Sequence, residues 1–371
     1  MKLKVKDIIS VIEQHFPPHI AETWDNVGLQ IGSVYKPVEK AIVALDLDEE
    51  VLQQALRQGA DMVITHHPLF FNPVKKIDYG QPLGRLIREV IRADICVYSV
   101  HTNLDAADSS LSQQIAELLE LRNIEPLNVY KKEELYKLVV FVPHTHINEV
   151  RKAVNEAGAG YIGKYSDCSF RTRGIGTFCP EEGTVPYIGE QGILEEVEEY
   201  RLETVVYQRD LGRVLRAMNA AHPYEEVAYD IYRLENAGRV FSMGRKGVLG
   251  EEMSLKLYAE KVKKSLGVST VRVVGSLDRI IKKVAVVSGA GAGLIDKALA
   301  EGADLLITGD LKYHEAKNAE AWGLAVIDAG HQGTEEIAAS YLCRLLAEEC
   351  RARGFMVEFI PAYSSSCFKY V

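Results

Sequence analysis

Three pairs of side chains, far apart in the chain, are of the types that hold metal ions. His66 and His67 are adjacent and directly follow the apolar run MVIT; His101 and Asp105 lie four apart in HTNLDAA after CVYSV; His331 and Glu335 lie four apart in HQGTE after AVIDAG. Four residues along a helix return to one face, so His331 and Glu335 could serve one centre. Neighbouring side chains in a strand diverge, so His66 and His67 are better placed to reach two adjacent ions than to grip one. With Glu335 as a carboxylate able to bridge, and His66, His67, Asp105 and His331 as terminal ligands, the set would hold two divalent ions about 3.5 to 4 Å apart. Nitrogen and oxygen donors without thiolate suit zinc first, with iron or manganese as alternatives. Five protein ligands leave positions for water and substrate, and a water shared by two ions is acidified toward hydroxide near neutral pH. That is hydrolytic chemistry.

Plainer explanations compete with each element of this set. Ten histidines would by composition alone produce about 0.27 adjacent pairs, so His66-His67 in a strand-end turn is weak evidence by itself. Asp105 and Glu335 could simply cap the helices that LSQQIAELLEL and EEIAASYLCRL would form. Three further residues are candidates for catalytic work near the ions: His101, Asp310 and His314, able to orient a ligand, shuttle a proton or bind substrate. Asp310 could equally cap the helix through HEAKNAEAWG.

The elements that must bring these residues together are written twice. AIVALDLDEEVLQQALRQGADMVITHHPLF and VAVVSGAGAGLIDKALAEGADLLITGDLKY each read as strand, amphipathic helix, Gly-Ala-Asp and a second strand ending in Ile-Thr. Gly59 aligns with Gly302, Asp61 with Asp304 and Thr65 with Thr308, which puts Asp310 in the place of His67. A third strand follows in each copy, ICVYSVHT and LAVIDAGH. Alternating strands and helices imply an α/β fold: a duplicated core with mostly parallel sheets and flanking helices. The ligands would then lie at the carboxyl ends of the strands, where such sheets open a crevice. SGAGAG, Ser288 to Gly293, reads as a tight strand-to-helix turn, with a substrate phosphate as the alternative occupant.

Residues 130–238 differ in texture, and their βαββαβ order is the ferredoxin-like pattern. The expected organisation is a core of 1–129 plus 239–371 with an inserted small α+β domain at 130–238, tolerated if the ends of the insertion lie close together. Within it HPYEEVAYDIY carries His222, Tyr224, Glu225 and Glu226, which reads as a solvated turn more readily than a second ligand site.

The chain has 371 residues, 43 basic and 52 acidic side chains, and a net charge of −9. An acidic balance disfavours nucleic acid as the main partner. The six cysteines show no two-residue spacing, consistent with reduced thiols of a cytoplasmic protein. The N-terminal run, with Val5, Ile8, Ile9, Ile12 and Phe16 on one face and stopped by Pro17, reads as an amphipathic helix rather than a signal peptide. No stretch approaches the roughly 20 apolar residues of a membrane span.

The pieces TWDNVGLQIG, THHPLFF, HTNLDAA, ITGDLKYHEA and DAGHQGTE, in this order, resemble the Nif-three-like family of dinuclear-metal proteins, whose members carry the label GTP cyclohydrolase 1 type 2 homologue. The inserted segment is similar to the PII- and CutA-related domain of longer bacterial members. The resemblance implies that His66 and Asp105 take one metal, His67 and His331 the other, and Glu335 both. It also implies a toroidal homohexamer acting on a small, nucleotide-like molecule such as GTP. The competing class is a non-catalytic metal-binding assembly whose inserted domain senses a metabolite.

Overall fold

Helix α1, Val5–His15, buries Val5, Ile8, Val11 and Ile12, and stops at Phe16 because Pro17 can neither donate the next backbone hydrogen bond nor let its predecessor stay helical. Val11, rather than Ile9, completes the buried stripe. The computed structural model describes residues 3–236 and 238–369. It divides into two units, Met1–Tyr130 with Phe241–Val371, and Lys131–Val240. The divisions fall one and two residues beyond 129 and 238.

In the first half of the core the chain runs β1 (Gly28–Ile31), β2 (Lys40–Ala44), α2 (Glu49–Gln58), β3 (Met62–Thr65), α3 (Pro82–Arg92), β4 (Cys96–Ser99), α4 (Thr102–Ala106), α5 (Leu111–Leu118) and β5 (Arg122–Pro126). The inserted unit holds β6 (Lys131–Lys132), β7 (Leu135–Pro143), α6 (Ile147–Glu156), β8 (Ser169–Phe178), β9 (Glu195–Tyr207), α7 (Gln208–Ala221) and β10 (Tyr229–Leu234). Strand β11 (Val240–Phe241) pairs with β6, so the chain enters and leaves side by side. The second half runs β12 (Arg245–Ser254), α8 (Leu255–Ser265), β13 (Arg272–Val274), β14 (Ile280–Val286), α9 (Ile295–Ala300), β15 (Leu305–Thr308), α10 (Tyr313–Ala321), β16 (Ala325–Asp328), α11 (His331–Glu335), α12 (Ile337–Ala352) and β17 (Glu358–Pro361).

The duplication is real in three dimensions. Strands β2, β3 and β4 are parallel neighbours, as are β14, β15 and β16. Strands β3, β4, β15 and β16 are buried along their whole length, as expected for parallel strands covered by helices on both faces. The repeated Gly-Ala-Asp has a mechanical purpose. Gly59 and Gly302 end their helices in the left-handed region at φ +63° and +71°, where a side chain is costly. Asp61 and Asp304 then each accept two consecutive backbone N–H groups from the preceding strand or its entry, Glu39 and Lys40 at 2.8 and 3.2 Å and Lys282 and Lys283 at 3.0 and 2.8 Å.

The sheets are less parallel than the pattern suggests. The first, ordered β1-β4-β3-β2-β17, is parallel except for β1, but the second, ordered β13-β16-β15-β14-β12-β5, has antiparallel strands at both sides of its parallel centre. The antiparallel strands β1, β5, β12 and β13 lie outside the two βαβ repeats, whose crossovers alone enforce parallel pairing. The halves also exchange edges: β5 of the first half closes the second sheet and β17 of the second half closes the first, parallel to β2. Such exchanged strands follow connections that no βαβ repeat constrains. In the inserted unit the antiparallel sheet is ordered β10-β7-β9-β8, with Val150, Val154, Val214 and Met218 of α6 and α7 packed on Leu138, Val140, Leu202 and Val206. Among the described residues no helix is long and apolar enough to cross a membrane.

Candidate metal centre

Parallel strands in register end together, and their ends carry the chemistry. Thr65 pairs with Ser99 at the carboxyl edge of the first sheet, so the next residues, His66-His67 and Val100-His101, emerge side by side. Thr308 pairs with Asp328 at the same edge of the second sheet, from which Asp310 and His331 emerge. Short helix α4 presents Asp105, and α11 presents His331 and Glu335 on one face with Nε2 and Oε2 2.9 Å apart.

Three overlapping groups result, each with donor atoms within 4.8 Å of one another: His66, Asp105 and Glu335; His67, His331 and Glu335; His66, His67 and His101. Glu335 belongs to two of them through different oxygens. Its Oε2 lies 3.0 Å from His67 Nε2 and 2.9 Å from His331 Nε2, while Oε1 lies 3.7 Å from His66 Nε2. Asp105 Oδ2 is also 3.7 Å from His66 Nε2. His66, Asp105 and Glu335 are buried.

Every imidazole is steered from behind. His66 Nδ1 donates to the Val100 carbonyl at 2.8 Å, His67 Nδ1 to Asp46 at 2.9 Å, His331 Nδ1 to Asp310 at 2.8 Å and His101 Nδ1 to Asp25 at 2.9 Å. A proton held on Nδ1 leaves Nε2 as the outward-facing atom, the usual arrangement behind metal-binding histidines. Asp310 holds its position with φ +54°, a strained conformation of the kind that concentrates at functional sites. Asp105 accepts a hydrogen bond from Ser288 Oγ at 3.1 Å.

The charges are strongly coupled. Burial opposes a proton on His67, but Asp46 and Glu335 outweigh it and push the ring up to about 10. The hydrogen bond to Glu335 lifts His331 to about 9 against the opposing effect of burial. For His66 burial is likewise outweighed, chiefly by Asp105, and its pKa rises. Burial works against charge on Glu335, yet the His331, His66 and His67 rings hold its carboxyl well below the usual carboxylate range. Burial dominates at Asp105 and raises it. Asp25, despite burial, is held at about 2 by His101 and Thr102.

Do these residues fit divalent ions? His66 Nε2 is completely enclosed and has no hydrogen-bond partner, while two carboxylates face it. An orphaned buried nitrogen opposite carboxylates is costly in a protein interior and is what a cation satisfies. The donor set fits. Beside it opens a cavity of about 1060 Å³ whose lining includes His67, His331, Asp46, Asp310, Arg272 and Gln332.

Helix capping does not account for the two acids. The cap of α5 is Ser110, whose side chain accepts from Gln113 N at 3.3 Å, and Glu335 turns to the histidines. Asp310 caps nothing either: the start of α10 is tied by Glu315 to Lys312 N. The structure does not bring His314 into the cluster. It is exposed on the first turn of α10, its ring against Tyr313. Ser288 to Gly293 makes a tight turn in which Gly309 N donates to the Gly289 carbonyl and Gly289 N donates to Thr334 Oγ1. Its absence of side chain has a use: a Cβ on Gly289 would stand 2.2 Å from Glu335 Oε1. In the inserted unit the HPYEEVAYDIY turn is less solvated than expected, because His222 is buried with Nε2 on the Phe141 carbonyl and Tyr224 donates to Glu199 at 2.9 Å.

Sequence reasoning missed Asp25 and Asp46 as the acids behind His101 and His67. A signal existed for Asp46, which directly follows the strand AIVAL as His66-His67 follow MVIT. Its counterpart in the second copy is Gly289, so one repeat position supplies an orienting acid and the other makes room for Glu335.

A duplicated α/β core whose two sets of strand ends converge imidazoles on shared carboxylates defines a protein with a candidate metal-binding site. The chain belongs to the Duf34/NIF3 (NGG1p interacting factor 3) family, which it matches over residues 3–366. The Bacillus subtilis protein called GTP cyclohydrolase 1 type 2 homolog is 43% identical over 367 residues, 99% of this chain and 98% of that one. A protein of the same name from Halalkalibacterium halodurans is 45% identical over 324 residues, 87% of each chain. The crystal structure of a Bacillus cereus protein related to NIF3 superposes with TM-score 0.92 at 43% identity, covering 100% of both chains.

Proposed function

We propose that the chain is a dinuclear metal hydrolase, acting on a small nucleotide-like substrate. The observation that carries this reading is the division of Glu335, with one oxygen toward His66 and the other between His67 and His331. His66, Asp105 and Glu335 would hold one ion and His67, His331 and Glu335 a second, and such ions would supply an acidified water and polarise a carbonyl or phosphoryl oxygen. Zinc suits the donors, with iron or manganese as alternatives. The chain's own residues do the rest. Val100, Asp46 and Asp310 fix the rings of His66, His67 and His331 so that little reorganisation is needed on binding. Asp25 holds the Nδ1 proton of His101, leaving Nε2 to exchange a proton near the reacting group. The name GTP cyclohydrolase 1 type 2 homolog, borne by the relatives, supports a nucleotide-like substrate. The same reading extends to a cytoplasmic homohexamer and to a PII/CutA-like fold for the inserted unit, whose ferredoxin-like strand order supports that fold.

Elemental analysis of protein purified without chelators tests the centre: about two ions per chain are expected, and substantial loss in Glu335→Ala. Hydrolysis of GTP or another phosphorylated metabolite by the loaded protein tests the activity. Bound ions without turnover across a broad panel would remove the hydrolase and leave a metal-binding assembly.

A further inference from the structure

Trp24 and Phe71 are large aromatic residues left 58% and 52% exposed, although burying either would be favourable. Their rings stack, with centroids 6.0 Å apart and planes 22° from parallel. Both also touch His101, at 5.9 and 5.4 Å between centroids. His101 in turn lies 5.1 Å from the His66 ring and 5.5 Å from that of His67. An open aromatic surface thus stands one imidazole away from the candidate metal centre.

Polar contacts hold the surface in place. Asp25, next to Trp24, accepts from His101 Nδ1 at 2.9 Å and from Thr102 N at 3.0 Å. Asn26 Nδ2 donates to the Phe70 carbonyl at 2.8 Å, and Phe70 N donates to Gln30 Oε1 at 3.3 Å. The two loops that bear the aromatics are therefore tied to each other and to His101. An exposed apolar patch that is also preorganised is the signature of a recognition surface.

We infer that Trp24 and Phe71 form a stacking platform for a flat heteroaromatic ring of nucleobase size, which is the recognised part of the substrate of the neighbouring centre. This rests on the proposed hydrolase reading for its location. Every nucleobase offers a π-face to such a surface, and a ligand lying there reaches the metal ligands across His101.

The chain has two tryptophans, Trp24 and Trp322, so Trp322→Phe leaves Trp24 as the reporter. Zinc-loaded Trp322→Phe protein is titrated with guanosine monophosphate, and with ribose 5-phosphate as the ring-free control, while zinc content is measured in parallel. Saturable quenching by guanosine monophosphate alone is expected. Adding Phe71→Ala should weaken it about 5- to 150-fold, and Phe71→Tyr should preserve it. With zinc bound, absence of saturable quenching, or equal quenching by ribose 5-phosphate, would overturn the platform. So would a Phe71→Ala protein that keeps its affinity but changes its sedimentation, which would assign the patch to contacts between copies. Quenching that persists without zinc binding would instead sink the hydrolase reading and leave the platform standing.

Discussion

At the scale of single residues, the centre is a problem in where protons and cations sit. Glu335 lies within hydrogen-bond reach of Nε2 of both His67 and His331, the same ring atoms that would hold an ion. Metal uptake must therefore expel protons from rings whose pKa values stand at about 10 and about 9. Calorimetry of zinc binding at pH 7 in buffers of different ionisation enthalpy should show proton release, and affinity should climb with pH toward that range. The sign for the metal-free fold is the opposite. A ring raised above its ordinary value near 6.5 contributes stability in full below that value, and the contribution is lost as pH rises through 9 to 10. Alkaline pH should thus lower the thermal midpoint of metal-free protein more than that of loaded protein. The acids behind the rings can be tested separately. Asp46→Asn or Asp310→Asn should weaken zinc about 10- to 100-fold in a competition titration against a chelating dye, because the ring loses its orienting partner.

Among the elements, turns matter more than helices. Gly289 and Gly302 both have positive φ, but their surroundings differ. At Gly302 the nearest atom to an added Cβ is Lys283 Nζ at 3.7 Å, so Gly302→Ala should cost about 1 to 2 kcal/mol of stability from backbone conformation and leave the metal content unchanged. At Gly289 the added carbon meets the Glu335 carboxylate, so Gly289→Ala should pay a similar backbone penalty and also lose metal. Urea unfolding beside elemental analysis separates the two outcomes, and equal metal content in both variants would show that Glu335 can move aside. Ser110→Ala, which removes the cap of α5 that Asp105 does not provide, should cost about 1 kcal/mol in the same assay.

For the molecule as a whole, all the candidate ligands lie in the unit formed by Met1–Tyr130 and Phe241–Val371. Tyr130 N donates to the Phe241 carbonyl at 2.8 Å, so a short flexible linker can replace Lys131–Val240 without stretching the chain. The shortened protein should keep the metal stoichiometry of the parent. If it folds, by circular dichroism, but binds no ions, the inserted unit would have to contribute to the centre. Within the core, the exchange of β5 and β17 between the two sheets means that neither half closes its own sheet. The halves expressed separately should therefore be unstable.

Much of this was written in the chain. The doubled strand-helix-strand pattern with its Gly-Ala-Asp, the parallel centres of both sheets, and the five residues His66, His67, Asp105, His331 and Glu335 follow from local spacing, because strand ends and helix faces are short-range properties. The antiparallel strands β1, β5, β12 and β13 were not legible, since they lie outside the two strand-helix repeats, and neither was the exchange of β5 and β17, since pairing with strands of the opposite half leaves no local trace. Nor was Asp25, for an aspartate in a turn looks the same whether it faces solvent or the back of an imidazole, whereas Asp46 was marked only by its place directly after the strand AIVAL. His314, matched to the cluster by its distance along the chain, points away because the first turn of α10 rotates it toward solvent. Residue chemistry and element type are set by neighbours in sequence; which acid backs which ring is set by the packing of one sheet edge against another, and only folding decides that.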